Sequence, residues 1–154
     1  MAVPLRVRKA TPDDTMGVFK LVVAMHTETD FRNYQLNPEK AFANLGIWIG
    51  QDKAAMLIAT RGDDVVGMLA CAVAPEWYSD ETLASEHLFY VRSDNRGTRA
   101  AYLLMKAYMQ WAIDLNADHV MAGVSTGTGD AAERLYQKFG LYPTGGNYIK
   151  HLKE

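Results

Sequence analysis

The amino-acid sequence predicts an α/β fold in which helices are layered on a mixed sheet. Apolar runs with strand patterning alternate with stripes at helical spacing, turn residues separate them at short intervals, and no linker, repeat or low-complexity segment interrupts the 154 residues. The order read from these patterns is β-α-α-β-β-β-α-β-α-β. A chain of this length fits a single domain over residues 1–154, and folding buries roughly 70% of the surface that the unfolded chain exposes.

"PLRVRKA" alternates as a strand, after which Thr11, Pro12 and Asp14 supply a cap, a first-turn proline and an N-terminal acid. Val18, Leu21, Val22 and Met25 are the buried stripe of the helix that follows. Beyond the polar and aromatic loop "HTETDFRNYQ", Asn37 and Pro38 open a second helix with Phe42, Leu45, Trp48 and Ile49 on one face. "AAMLIAT" and "DVVGMLACAVA" are buried strands joined by the hairpin turn "RGDD". A further strand, "EHLFYVR", leads into "DNRGTRAAYLLM". From Thr98 a long helix runs on, with Leu104, Ala107, Tyr108, Trp111 and Leu115 at helical spacing. "HVMAGVST" is the next strand, and "GTGD" breaks it before Asp130 and Glu133 form an acidic variant of the capping box. Ala132, Leu135, Tyr136 and Phe139 stripe the last helix and Gly140 ends it. "LYPTGGNYIKHL" closes the chain as a strand pair around Gly145 and Gly146.

Sixteen basic against eighteen acidic residues give a net charge of -2, a poor match to a long polyanion, so nucleic acid is disfavoured as a partner. Cys71, the single cysteine, lies in an apolar run and forms no internal disulfide; it reads as a buried, inert thiol in a reducing compartment. "MAVPLRVRKATPDD" lacks a signal-peptide core. No apolar run approaches the ~20 residues of a membrane span. A soluble cytoplasmic protein without a membrane partner is the expectation.

"DNRGTRAAYLLM" sets one glycine between two arginines, directly after a strand and before a helix. The first amides of a helix have no internal partner and carry the positive end of its dipole, so such a junction can hold an anion. It can equally be an ordinary turn with solvated arginines. The stretch is neither G-x-G-x-x-G nor G-x-x-x-x-G-K-[ST], which sets aside dinucleotide and nucleotide-hydrolysing sites.

"LFYVRSDNRGTRAAYLL" resembles the strand, short loop, R/Q-x-x-G-x-G/A motif and long helix of the GNAT superfamily of acetyl-CoA-dependent N-acetyltransferases. "AAERLYQKFGLYPTGG" is similar to the A-x-x-x-Y-x-K-x-G-F segment near the C-terminus of that family, and "GDDVVGMLA" to its central hairpin. The order of the features matches over nearly the whole chain. The motif is the R-G-x-R-A variant, as in phage and bacterial members: Arg99 stands at the usual middle glycine, and Gly129 at a frequent asparagine. The resemblance implies a three-layer fold with a central mixed, mostly antiparallel sheet flanked by helices. It also implies acetyl-CoA as co-substrate, with no metal, and transfer of acetyl to a primary amine by direct attack in a ternary complex. The acceptor is a small molecule or a protein, and a homodimer is left open because members are often dimers. A non-catalytic module that binds CoA or a protein is the alternative.

The resemblance further implies that amides from Arg96, Gly97, Thr98, Arg99, Ala100 and Ala101 wrap the CoA pyrophosphate. The Arg96 and Arg99 side chains either reach phosphate oxygens or stay in solvent. The backbone of Phe89, Tyr90 and Val91 would pair with the pantetheine arm as an added strand, with their side chains in the core. Tyr136 matches the tyrosine that protonates the departing thiolate, although a tyrosine on a helix stripe can equally be core. For the base, Glu86 at the start of its strand comes first and His87 second, each against the plainer reading of a strand-end polar residue. By analogy with the family, the acceptor pocket is walled by the first helix, the loop after it and "APEWYSDE", with His26, Trp77 and Tyr78 as candidates.

Overall fold

The computed structural model describes residues 3–124 and 130–153, and among these five strands form one sheet in the order β1-β2-β3-β4-β5. β1 (Leu5–Lys9), β2 (Ala54–Arg61), β3 (Asp64–Pro75) and β4 (Thr82–Val91) are antiparallel neighbours. β5 (His119–Met121) joins β4 in parallel, a pairing that needs a crossover, and α3 (Ala100–Asp114) supplies it. α1 (Thr15–Glu28) and α2 (Pro38–Asn44) lie on one face of the sheet; α3 and α4 (Asp130–Lys138) lie on the other.

Both faces of the central strands are covered, which is why they read as continuous apolar runs rather than alternating ones. In β2, Ala55, Leu57 and Ala59 enter the core under α3, while Met56 and Ile58 enter the core under α1. Val18, Leu21 and Met25 of α1 fill the second core, and Leu104, Tyr108 and Trp111 of α3 fill the first. The Tyr108 hydroxyl donates to the Met121 carbonyl at 2.7 Å and so ties α3 to β5. Gly17 lets α1 approach β3 closely, because a Cβ there would stand 2.8 Å from a methyl of Val65. Cys71 is buried with its sulfur 3.6 Å from the Ala55 carbonyl, and burial pushes the thiol up to about 12, so it stays a protonated packing group.

The predicted caps form, with shifts in detail. Thr11 and Asp14 make a capping box around a short 3₁₀ turn, so the regular α1 starts only at Thr15. Two hydrogen bonds from Arg8, at 2.7 and 2.9 Å, and one from the Thr11 amide hold the Asp14 carboxyl down at about 2. The Asn37 side chain accepts from the Lys40 amide at 3.1 Å and caps α2. α1 also runs on through Glu28, into what the sequence reading assigns to a loop.

β4 begins at Thr82, four residues before the expected strand, so Glu86 sits within the strand and not at its start. In the register with β3, Cys71 opposes Glu86 and Ala70 opposes Leu88, leaving His87 as a bulge. The bulge reverses the alternation of the strand. Ala84 belongs to the core under α3, but Leu88 and Tyr90 pack toward α1.

The C-terminal strand pair expected in "LYPTGGNYIKHL" is absent: residues 141–153 carry no strand. Pro143 has no amide to donate, and Tyr148 and Leu152 are 97% and 86% exposed, so no apolar face of this segment is buried to hold a register. The ladder of β5 is likewise only three residues long. Gly129 lies outside the described residues. No helix among those described is long and apolar enough to cross a membrane.

Candidate active site

The β4–β5 ladder pairs Leu83, Ala84 and Ser85 with His119, Val120 and Met121, and then stops. Past that point the two chains part, and among the described residues no strand pairs with the outer edge of β4 from Glu86 to Val91, where the Val91 carbonyl alone accepts a side-chain bond, from Arg96. Glu86 stands at the fork. Its carboxylate accepts from the Gly123 amide at 3.0 Å, while the Tyr136 hydroxyl of α4 donates to the Gly123 carbonyl at 2.8 Å. The backbone of one residue thus links the carboxyl to the phenol, through the amide on one side of its Cα and the carbonyl on the other. Glu86, Tyr136, Leu88 and Val124 line a narrow cavity of about 50 Å³ that Met25 and Phe31 close from the α1 side.

The electrostatics of this pair follow from burial. Desolvation raises the Glu86 carboxyl above its ordinary range, and the Gly123 hydrogen bond only partly offsets it. Burial also raises the Tyr136 phenol, and the nearby Glu86 carboxylate raises it further. The phenol is therefore a protonated donor throughout the neutral range. Its ring is buried and lies 6.4 Å from that of Phe89.

The loop between β4 and α3 turns at Gly97, whose φ of 79° lies in the left-handed region that glycine enters at no steric cost. Inside the loop the Thr98 hydroxyl donates to the Asn95 carbonyl at 2.6 Å and accepts from the Ala100 amide at 3.3 Å. The Arg96 amide is drawn back to the Ser93 carbonyl. Among the described residues the amides of Gly97, Thr98, Arg99, Ala101 and Tyr102 find no partner, which leaves a helix N-terminus open to an anion.

The loop's arginines differ in availability. Arg92 is held by Asp64 and Asp94, each at 2.7 Å, and its bond to Asp94, with that from the Asn95 side chain, keeps the Asp94 carboxyl down at about 2. Arg96 pairs with Glu28 at the end of α1, lies 5.5 Å over the Tyr90 ring and donates through Nε to the Val91 carbonyl. Tyr90 completes that cluster: its hydroxyl donates to Glu28 at 2.6 Å, and burial and the carboxylate push it up to about 12. Arg99, at the N-cap of α3, has no carboxylate partner among the described residues and rests 5.3 Å over the ring of Tyr102. Of the two arginines singled out in the sequence, Arg99 is the one free to meet a ligand.

Phe89, Tyr90 and Val91 lie on the stretch of β4 beyond the fork with their side chains in the two cores, as the sequence reading expects. His87, the bulged residue, turns toward Trp48, with ring centroids 6.0 Å apart. His26 lines a second and larger cavity of about 480 Å³ between α1, α2 and Leu88. Trp77 and Tyr78 do not. They pack edge to face at the β3–β4 turn, 92% and 71% exposed, and line neither of these two cavities. The sequence also offered no reason to select Gly123, Glu28 or Phe31. A glycine at the end of "HVMAG" hints at a departing strand, but Glu28 and Phe31 carry no such signal.

The sequence profile of the Acetyltransferase (GNAT) family matches residues 21–141. No curated protein matches the sequence significantly. Among solved structures, the chain is similar to the aminoglycoside acetyltransferase meta-AAC0020 from an uncultured soil metagenomic sample, with a TM-score of 0.76 and 16% identity over 97% of each chain. It is similar to AAC(6')-Iy in complex with a CoA-containing bisubstrate analogue, with a TM-score of 0.76 and 14% identity over 98% of this chain and 99% of that one. A ribosomal-protein-alanine N-acetyltransferase from Brucella melitensis biovar Abortus 2308 superposes with a TM-score of 0.74 and 15% identity, over 96% and 99%.

Proposed function

The chain belongs to the acetyltransferase (GNAT) family, and from that premise we propose that it acts as a single catalytic domain moving acetyl from acetyl-CoA to a primary amine by direct attack. The observation that carries this reading is the Gly123 backbone, its amide bonded to the Glu86 carboxylate and its carbonyl to the Tyr136 hydroxyl, at the point where β4 and β5 part. A base and an acid are set on either side of one gap.

The open amides of Gly97, Thr98, Arg99 and Ala101, together with the Arg99 guanidinium, suit the CoA pyrophosphate, and the outer edge of β4 along Phe89, Tyr90 and Val91 suits the amide-bearing pantetheine arm. The thioester then lies toward Glu86 and Tyr136. Glu86, directly or through a water, takes a proton from the ammonium. The amine nitrogen bonds to the thioester carbon and the carbon–sulfur bond breaks. Tyr136 leaves the Gly123 carbonyl and gives its proton to the sulfur. As the amide forms, the nitrogen gives up its second proton, which restores the Tyr136 phenol; the products are the N-acetyl amine and free CoA thiol, and the proton held by Glu86 returns to solvent.

The two steps support one another. While Glu86 is ionised its charge raises the Tyr136 phenol and makes it a reluctant acid. Once Glu86 has accepted the amine proton that charge is gone, and the phenol becomes a better acid as the thiolate departs. Thiol release from acetyl-CoA with a panel of amines tests the proposal. The non-catalytic alternative predicts CoA binding, seen as a ligand-dependent rise in melting temperature, with no thiol from any amine.

A further inference from the structure

The larger cavity points to the acceptor. It shares Met25, Phe31 and Leu88 with the narrow cavity at Glu86 and Tyr136, so it opens onto the fork through an apolar neck. Its polar lining is unusual for a site meant to hold a polycation. Among the described residues that line it there is no aspartate or glutamate, whereas His26 and Lys40 both border it. Glu28, the nearby carboxylate of α1, is spent on Tyr90 and Arg96. The exposed C-terminal segment reaches the same side, since the His151 ring lies 5.7 Å from that of Tyr34. Tyr34 also fixes His26: its carbonyl can only accept, so the 2.6 Å contact makes His26 Nε2 the donor and leaves Nδ1 as the other ring nitrogen.

We infer that the acceptor is a primary monoamine on an apolar body whose far end carries an anionic group such as a carboxylate. This inference rests on the acetyl-transfer reading and adds a substrate class to it. The amine passes the neck to Glu86, the apolar body lies against Phe31, Leu36 and Leu88, and the anion remains beside the Lys40 ammonium, with the His26 ring next to it. A second cation at that end would meet like charge and no carboxylate. Aminoglycosides, after which the similar acetyltransferase meta-AAC0020 is described, are polycations and do not match this lining.

Four amines separate the possibilities: aminohexanoate, hexylamine, hexanediamine and sisomicin, compared by kcat/KM in thiol release. The first three share a six-carbon body and differ only at the far end. Aminohexanoate should exceed hexanediamine by roughly tenfold, as expected for exchanging attraction and repulsion at solvent-accessible charges, and Lys40→Glu should narrow that ratio by about fivefold. Hexanediamine or sisomicin turned over as well as aminohexanoate, or a ratio untouched by Lys40→Glu, overturns the inference while leaving acetyl transfer intact. If no amine releases thiol although CoA still raises the melting temperature, the acetyl-transfer reading fails instead. The groove is then judged by binding alone: a thermal shift with N-acetyl-aminohexanoate that Lys40→Glu abolishes upholds the charge assignment, and no shift with that ligand overturns it.

Discussion

Replacing Glu86 with glutamine separates basicity from architecture. The glutamine carbonyl oxygen can still accept from the Gly123 amide, now at 3.0 Å from the carboxylate, so the fork between β4 and β5 keeps its tie. What is lost is the ability to take a proton. A positioned general base contributes about 10²–10⁴-fold, and kcat/KM of Glu86→Gln should fall within that range. Stability should move the other way. Desolvation raises the Glu86 carboxyl in the folded chain above its unfolded value near 4.3. Between those two values the folded chain binds more protons than the unfolded one, so stability declines as pH rises through the window, with a slope of at most about 1.4 kcal/mol per pH unit for one proton. Above the window the ionised carboxylate bears the full cost of desolvating a charge, and glutamine bears only the smaller cost of a neutral amide. Glu86→Gln should therefore melt higher than the wild type at neutral pH, with the difference shrinking in acid. The assay pairs melting curves across pH with kcat/KM across pH, in which the wild type loses activity as pH falls through the raised Glu86 value. A stabilised variant with wild-type kcat/KM would refute the base assignment, and a destabilised one would refute the claim that burial dominates the carboxyl's environment.

Tyr136→Phe keeps the ring beside Phe89 and loses the hydroxyl that donates to Gly123 at 2.8 Å, so it should cost about 0.5–1.5 kcal/mol of stability and leave CoA affinity nearly intact. Single-turnover acetyl transfer should slow by about 10²–10⁴-fold; wild-type chemistry in the folded variant would return Tyr136 to a packing role. Arg99→Ala removes the loop arginine that has no carboxylate partner among the described residues, and titration calorimetry should show weaker CoA binding by about 1.5–3 kcal/mol, or less if the contact stays exposed to water; equal affinities would make Arg99 a surface charge. Arg96 acts in this structure as a strut to Glu28, so Arg96→Ala and Glu28→Gln should each raise the Kd for CoA about two- to fivefold, with the double variant no worse than either alone. A much larger loss from Arg96→Ala would identify it as a direct phosphate ligand.

Much of this molecule was legible from local pattern. The stripe of Val18, Leu21 and Met25, the stripe of Leu104, Tyr108 and Trp111, and the hairpin between β2 and β3 all form, because helix and strand periodicities report which side of a segment faces apolar surroundings. The strand-loop-helix junction around Gly97 was legible for the same reason: a glycine with a φ of 79° and a following run of helix formers act over a few residues. The C-terminal strand pair was misread because alternation in "LYPTGGNYIKHL" describes a segment's capacity to pair, and pairing also requires that one face be buried to hold the register, whereas Tyr148 and Leu152 stand in solvent.

Partnerships between distant side chains were decided only by the tertiary structure. Arg92, Arg96 and Arg99 look alike in sequence, yet folding brings Asp64 to the first and Glu28 to the second and leaves the third against an aromatic ring. The bulge at His87 is equally silent, since it exists only in the register between β3 and β4, and it is what sends Glu86 toward Gly123 and Leu88 toward α1. Periodicity records the average environment of a residue's own segment. Charge availability, a strand's slip against its neighbour and the lining of a groove are properties of pairs of segments, and short-range preferences carry no term for them.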